Sequence, residues 1–302
     1  MNPQFLADGL LMGAMIGLGA IGVTLTYSIL RFANFAHGEF VTWGAYGTLA
    51  LIGLIGFAFG SDISKLAPFS FGWPLIAAGL IAALLTGLMA LALDRLLFAR
   101  LRAKGTAIIM VMASFGASMA LRSLCEFFFT SQPRYFSRDI QMAIEILPGM
   151  RMTPDQMFMI GLTAVLVTAM HLLMTRTTLG RSMRAVSENP ALAGVVGIDV
   201  DNIVRATWLI GGALAAAAGV MSGIVVQIRP FMGFDLLLPL FAAAILGGIG
   251  SVPGAVVGGL IVGLAESAGV QFIGANYRAA IAFLLLLLVL LVRPTGLFGV
   301  RP

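Results

Sequence analysis

The chain has 302 residues, of which 60% are apolar and only 10% carry a formal charge. A soluble domain usually carries about a quarter charged residues, and this chain has too little polar cover for a surface in water. With one cysteine, two histidines and a net charge of +5, the composition excludes a soluble enzyme, a disordered chain and a nucleic-acid binder, and it leaves no disulfide and no His/Cys metal set.

What remains is an all-α, polytopic integral membrane helical bundle surrounded by lipid. A crossing helix needs about 20 apolar residues. In chain order, seven runs qualify: 6–30, 42–60, 73–93, 106–129, 157–174, 206–228 and 279–292. The first is too long for a signal-peptide core and lacks a basic start, so it reads as a retained span. The stretch 238–273 is long but broken by Gly247-Gly248-Ile249-Gly250 and Ser251-Val252-Pro253-Gly254. It reads as two passes, or as a re-entrant piece plus one pass. The expectation is about eight to nine spans with broken or re-entrant segments, and residues 1–302 form a single transmembrane domain.

Loop charge orients the bundle. Arg95, Arg100, Arg102 and Lys104 lie in one loop, and Arg176, Arg181, Arg184 and Arg205 in another on the same side. Arg31 and the tail residues Arg293 and Arg301 bring that side to eleven basic residues. Lys65, Arg134, Arg138, Arg151, Arg229 and Arg278 give the other side six. The positive-inside rule puts the eleven in the cytoplasm and the amino terminus outside. The tail belongs with them only if 238–273 crosses twice.

Glycines recur four apart at Gly9/Gly13/Gly17, Gly219/Gly223, Gly254/Gly258 and Gly259/Gly263, a spacing that lets helix backbones approach in lipid. Gly17–Gly22 spells GxGxxG, but inside an apolar run and without a preceding strand, so helix packing explains it. There is no Walker A sequence, and any nucleotide must bind another chain. No catalytic constellation is present.

Three interruptions could carry function. Residues 31–40 (RFANFAHGEF) place Asn34, His37, Gly38 and Glu39 between two spans. Ionisable groups at membrane depth default to function, and broken helices form transporter sites, although a polar surface turn explains the pattern equally well. The loop 175–205 offers a basic helix around 181–186. A second helix follows, with Asn189 as cap, Pro190 in its first turn and Gly197 as stop. It reads either as a helix that docks in a partner's groove or as a solvated loop with anchoring charge. The stretch 227–254, with Arg229, Asp235, Pro239 and the broken segment Gly247, Gly248, Gly250, Pro253 and Gly254, reads as a pathway element or as a turn plus helix packing. Within spans, Arg122 and Glu126 are four apart and can pair on one helix face. Glu266 has no local partner and faces either the bundle interior or another subunit. His171 sits at a span end, where an interfacial role is expected.

Four blocks occur in order: RFANFAHGEFVTWGAY at 31–46, GRSMRAVSENPALAGVVGI at 180–198, FAAAILGGIGSVPGAVVGGLIVGLAE at 241–266 and RPTGLFG at 293–299. Together they resemble the LivH-type permease subunit of branched-chain amino-acid ABC importers, over nearly the whole chain. The resemblance implies a multi-pass protein of the bacterial inner membrane, moving its substrate by alternating access. It also implies a second LivM-type permease, two ABC ATPase subunits that carry ATP and Mg, and a periplasmic substrate-binding protein, with no cofactor on this chain. The loop 175–205 would be the segment that docks on the ATPase, through Arg184, Glu188, Asn189, Pro190, Gly194 and Gly197. Asn34, His37, Gly38 and Glu39 would guide the substrate. Related permeases import urea, amides or other amino acids. An ion-coupled secondary transporter stays open through Glu39, Glu126 and Glu266.

Overall fold

A computed structural model describes residues 3–59, 66–102, 105–137, 141–293 and 295–299. Lys65, Lys104, Arg138 and Arg301, counted in the loop charge above, lie outside the described residues. Among those described, eight helices are long and apolar enough to cross a membrane.

The helix α1 (Gln4–Leu30) is apolar all round, and 89% of its most apolar stretch is buried. A helix without a polar face belongs in the interior, and α1 is the axis of the bundle. Around it stand α2 (His37–Phe59) and α3 (Trp73–Leu93), which continues through a π-helical turn (Asp94–Phe98) into the short α4 (Ala99–Arg102). Then follow α5 (Ala107–Phe129), α6 (Pro154–Arg176), α9 (Val200–Val225), α11 (Val252–Ile273) and α12 (Arg278–Val292). Two short helices, α7 (Thr178–Glu188) and α8 (Pro190–Val195), occupy the loop before α9. A small hairpin, β1 (Ile144–Leu147) and β2 (Met150–Met152), caps the opposite face, where the Arg151 carbonyl accepts from Gln4 Nε2 (2.9 Å).

The seam between α1 and α11 is built from small residues. A Cβ on Gly13 would lie 2.7 Å from the Leu260 Cα, and one on Gly9 would lie 2.9 Å from the Leu264 Cα. The two helices run antiparallel with backbones in near contact, which in lipid is the main source of attraction between apolar helices.

The broken stretch resolves into a short helix and a full one. The shorter helix α10 (Met232–Gly247) has 16 residues, a rise of about 24 Å against a hydrocarbon thickness of about 30 Å. It ends at Gly248 (φ +96°), a left-handed conformation that suits glycine. Ser251 Oγ then accepts from the Gly254 amide (3.1 Å) and Pro253 occupies the first turn of α11. Thr24 Oγ1, near the end of α1, accepts from the Gly250 amide (2.7 Å), so the turn sits on the face where α1 ends. The tail returns to the same place, with Leu297 and Phe298 amides donating to the Leu246 (2.8 Å) and Gly247 (3.1 Å) carbonyls. The region thus goes in, turns and comes back, and Arg293 stays on the face of Arg31.

Other boundaries move. The second span starts at His37, not 42, and α9 starts at Val200, within what read as loop. Both starts are polar, which hides them from a count of apolar residues.

Candidate functional site

Arg31 ends α1 in the left-handed region (φ +58°), and its amide donates to the Tyr27 carbonyl (2.9 Å). Residues 32–36 then run back into the bundle before α2 begins. Asn34 caps that start: its Oδ1 accepts from the Ala36 amide (3.1 Å) and its carbonyl from the His37 amide (3.3 Å). Nε2 of His37 donates to the Gly19 carbonyl (3.3 Å), halfway along α1, so α2 starts deep inside the bundle. There α2 meets the start of α10. Thr42 Oγ1 accepts from the Gly233 amide (3.0 Å), and a Cβ on Gly38 would run into the Gly233 carbonyl. Two interrupted helices therefore touch backbone to backbone at mid-bundle.

Beside this junction lies a buried charge pair. Glu39 is fully buried, and its Oε1 accepts from Ser118 Oγ (3.0 Å), Arg122 Nη2 (2.8 Å) and Arg122 Nε (3.2 Å). The Arg122 guanidinium also lies 4.8 Å from the Phe231 ring centroid and 4.3 Å from that of Phe234. The pairing of Arg122 with Glu126 suggested by helix spacing is not the ion pair formed. Glu126 is only half-buried, whereas the Glu39 carboxylate has no water to turn to. A cation reaches for the carboxylate that most needs it.

A cavity of about 760 Å³ opens next to this site, within the range of roughly 300–1,000 Å³ usual for small-molecule pockets. Its wall includes Phe35, Phe115 and Phe241, then Glu266, and charged groups at Arg229, Asp235 and Arg278. Phe35 packs on Phe115 and Phe241, with ring centroids 6.1 and 5.7 Å apart. Asn34, His37, Gly38 and Glu39 are not among its lining residues; their segment contributes Phe35 instead. The polar side chains hold the broken helix and the aromatic one faces the space. Glu266 is buried and lines the cavity. Arg229 and Asp235 pair at 2.9 Å but are half exposed, so their bond adds little.

The opposite end of the bundle carries α7 and α8. Thr177 Oγ1 accepts from the Gly180 amide (3.1 Å) at the start of α7, and Asn189 Oδ1 accepts from the Leu192 amide (3.0 Å) at the start of α8. Met183 and Val186 bury one side of α7, leaving Arg184 and Glu188 exposed with Pro190, Gly194 and Gly197 beyond them. Gly197 has φ +89° and follows the end of α8. Leu192, Val195 and Val196 are exposed, Val195 to 84%. The Arg31 guanidinium donates to the Ser187 carbonyl and so ties α7 to the end of α1.

Phe231, Phe234, Ser118 and Arg278 were not singled out by sequence. The first two stand three apart at the start of α10, a spacing that marks one helix face, and Arg278 is the one charge at the start of the last span.

Among the described residues, a bundle of eight crossing helices with a shorter ninth, two helix starts meeting inside it and an adjoining cavity is a multi-pass membrane permease. The chain belongs to the family described as branched-chain amino acid transport system / permease component, which matches residues 5–291. It is 34% identical to the high-affinity branched-chain amino acid transport system permease protein BraD of Pseudomonas aeruginosa, over 99% of this chain and 96% of that one. It is 32% identical to the permease protein LivH of the same kind of system in Escherichia coli K12, over 100% and 98%. Among solved structures, PsaBC from Streptococcus pneumoniae in complex with Fab matches with a TM-score of 0.50 at 12% identity, covering 96% of this chain and 92% of that one, a likeness of fold alone. The chain is therefore a transport subunit.

Proposed function

We propose that this chain is the permease subunit of an ATP-driven importer of branched-chain amino acids in a bacterial inner membrane. It works by alternating access beside a second, LivM-type permease. ATP and Mg bind on two partner ATPase subunits, and a periplasmic binding protein delivers the amino acid.

The observation that carries this reading is the cytoplasmic pair α7 and α8. Exposed Leu192, Val195 and Val196 form an apolar surface next to exposed Arg184 and Glu188, outside any membrane-crossing helix. Apolar side chains at such a place mark a protein interface. Full-length similarity to named amino-acid permeases supports the substrate. Closure of the ATPase pair moves α7. The bond from Arg31 to Ser187 carries that movement to the end of α1 and the stretch 32–36. The far end of that stretch is the start of α2, in backbone contact with α10 beside the cavity.

The test is uptake by proteoliposomes. Radiolabelled leucine accumulates only when this chain, the second permease, both ATPases, the binding protein and ATP are all present. Accumulation by this chain alone, driven by an ion gradient, refutes the reading in favour of a secondary transporter.

A further inference from the structure

Glu266 on α11 is 1% exposed and lines the cavity, yet neither carboxylate oxygen has a hydrogen-bond partner among the described residues. Arg278 Nε lies 3.9 Å from Oε2, too far for a hydrogen bond, and the Arg278 side chain stands half exposed on the same cavity wall. A carboxylate buried at membrane depth without donors is costly and defaults to a functional role. Glu266 lies seven residues from the outer end of α11, and Arg278 opens α12 on that same face. Phe115 lies nine residues into α5 from the opposite, basic face. The cavity is thus charged towards one face and aromatic towards the middle of the bundle.

We infer that this cavity is a half-site for an α-amino acid, in which Glu266 receives the ammonium, Arg278 the carboxylate, and Phe35, Phe115 and Phe241 the apolar side chain. The inference rests on the amino-acid reading above and adds the site and the orientation. An α-amino acid presents opposite charges on two groups bonded to one carbon, with the side chain on a third bond of that carbon. A loose Glu–Arg pair above an apolar floor has that arrangement. The ammonium supplies the donors that Glu266 lacks, and the carboxylate receives the paired N–H groups of the guanidinium.

Cysteine protection in the assembled complex tests this. In a Cys125→Ala background, Leu238→Cys places a thiol on the cavity wall, and its rate of modification by a methanethiosulfonate reagent is measured in nanodiscs. Leucine slows modification at lower concentration than 4-methylpentanoate, which lacks the ammonium, or leucinamide, which lacks the carboxylate. Glu266→Gln raises the half-protecting leucine concentration about tenfold, the equivalent of about 1.4 kcal/mol, and removes its advantage over 4-methylpentanoate. Arg278→Gln removes the advantage over leucinamide and stays informative if Glu266→Gln does not assemble, because Arg278 is half exposed. A merely structural role would lower all three ligands together. Unchanged protection in both variants, or no protection by leucine in a complex that still transports it, overturns the half-site and leaves the transport reading standing. Failure of ATP-driven leucine uptake in the parent complex sinks the reading itself.

Discussion

The buried pair of Arg122 and Glu39 makes an asymmetric prediction. Arg122→Leu removes the guanidinium and leaves Glu39, fully buried, with only Ser118 donating to it. Breaking a buried pair in this way costs about 3–5 kcal/mol, because one charge is left uncompensated. Glu39→Gln is milder. The amide oxygen still accepts from Arg122, whose side chain is 13% exposed and keeps its place over Phe231 and Phe234. Those ring contacts are worth about 0.5–2 kcal/mol, so the net loss is about 1–2 kcal/mol. The double variant Arg122→Leu/Glu39→Gln buries no charge and is more stable than Arg122→Leu by about 2 kcal/mol. The assay is the thermal midpoint of the detergent-solubilised protein, followed by size-exclusion chromatography after heating. Additive losses, with the double variant below both single ones, would refute the reasoning. Glu126→Gln is the control: the ion pair formed goes elsewhere, and its midpoint stays at that of the parent.

Gly13→Leu forces a side chain against the Leu260 backbone and costs about 1–3 kcal/mol by overpacking, whereas Gly53→Ala, with nothing within 4 Å of its added carbon, leaves the same thermal midpoint unchanged. Asn189→Ala removes the acceptor for the Leu192 amide and weakens α8 by about 1 kcal/mol, and the ATP hydrolysed per leucine transported rises in proteoliposomes. Arg31→Gln loses the charged bond to the Ser187 carbonyl, so leucine uptake falls several-fold while ATPase activity of the complex persists; a parallel fall in both would place Arg31 in assembly rather than in transmission.

The spans were legible because a lipid environment leaves few alternatives for a long apolar run: every backbone group must be satisfied within the helix. The start of α8 was legible for an equally local reason, since Asn189 and Pro190 act within one turn of themselves. The double crossing was legible only as one of two options. Residues 238–273 are equally apolar in both, and what decides between them is the contact of Leu297 and Phe298 with Leu246 and Gly247, about fifty residues away. The hairpin at Ile144–Met152 gave no signal, because β1 is exposed throughout and β2 is only three residues long, too short for its alternation to register.

Arg122 shows why the site was less legible than the fold. A charged residue inside an apolar run announces that a partner exists, because solitary charge at that depth is costly. Helix periodicity then offers Glu126, the only carboxylate within its reach along the chain. The partner used is 83 residues away, on a helix whose start was itself hidden by the polar residues 34–39. Glu266 repeats the case at the other side of the cavity: periodicity offers no partner, and the cation that approaches it comes from the next helix, across a turn of the chain. In a membrane bundle the local pattern settles which residues must be satisfied, and only the packing of interrupted helices settles by what. The groups that packing leaves unsatisfied among the described residues, of which both Glu266 oxygens are the plainest, are therefore where a ligand's own charges have something to add.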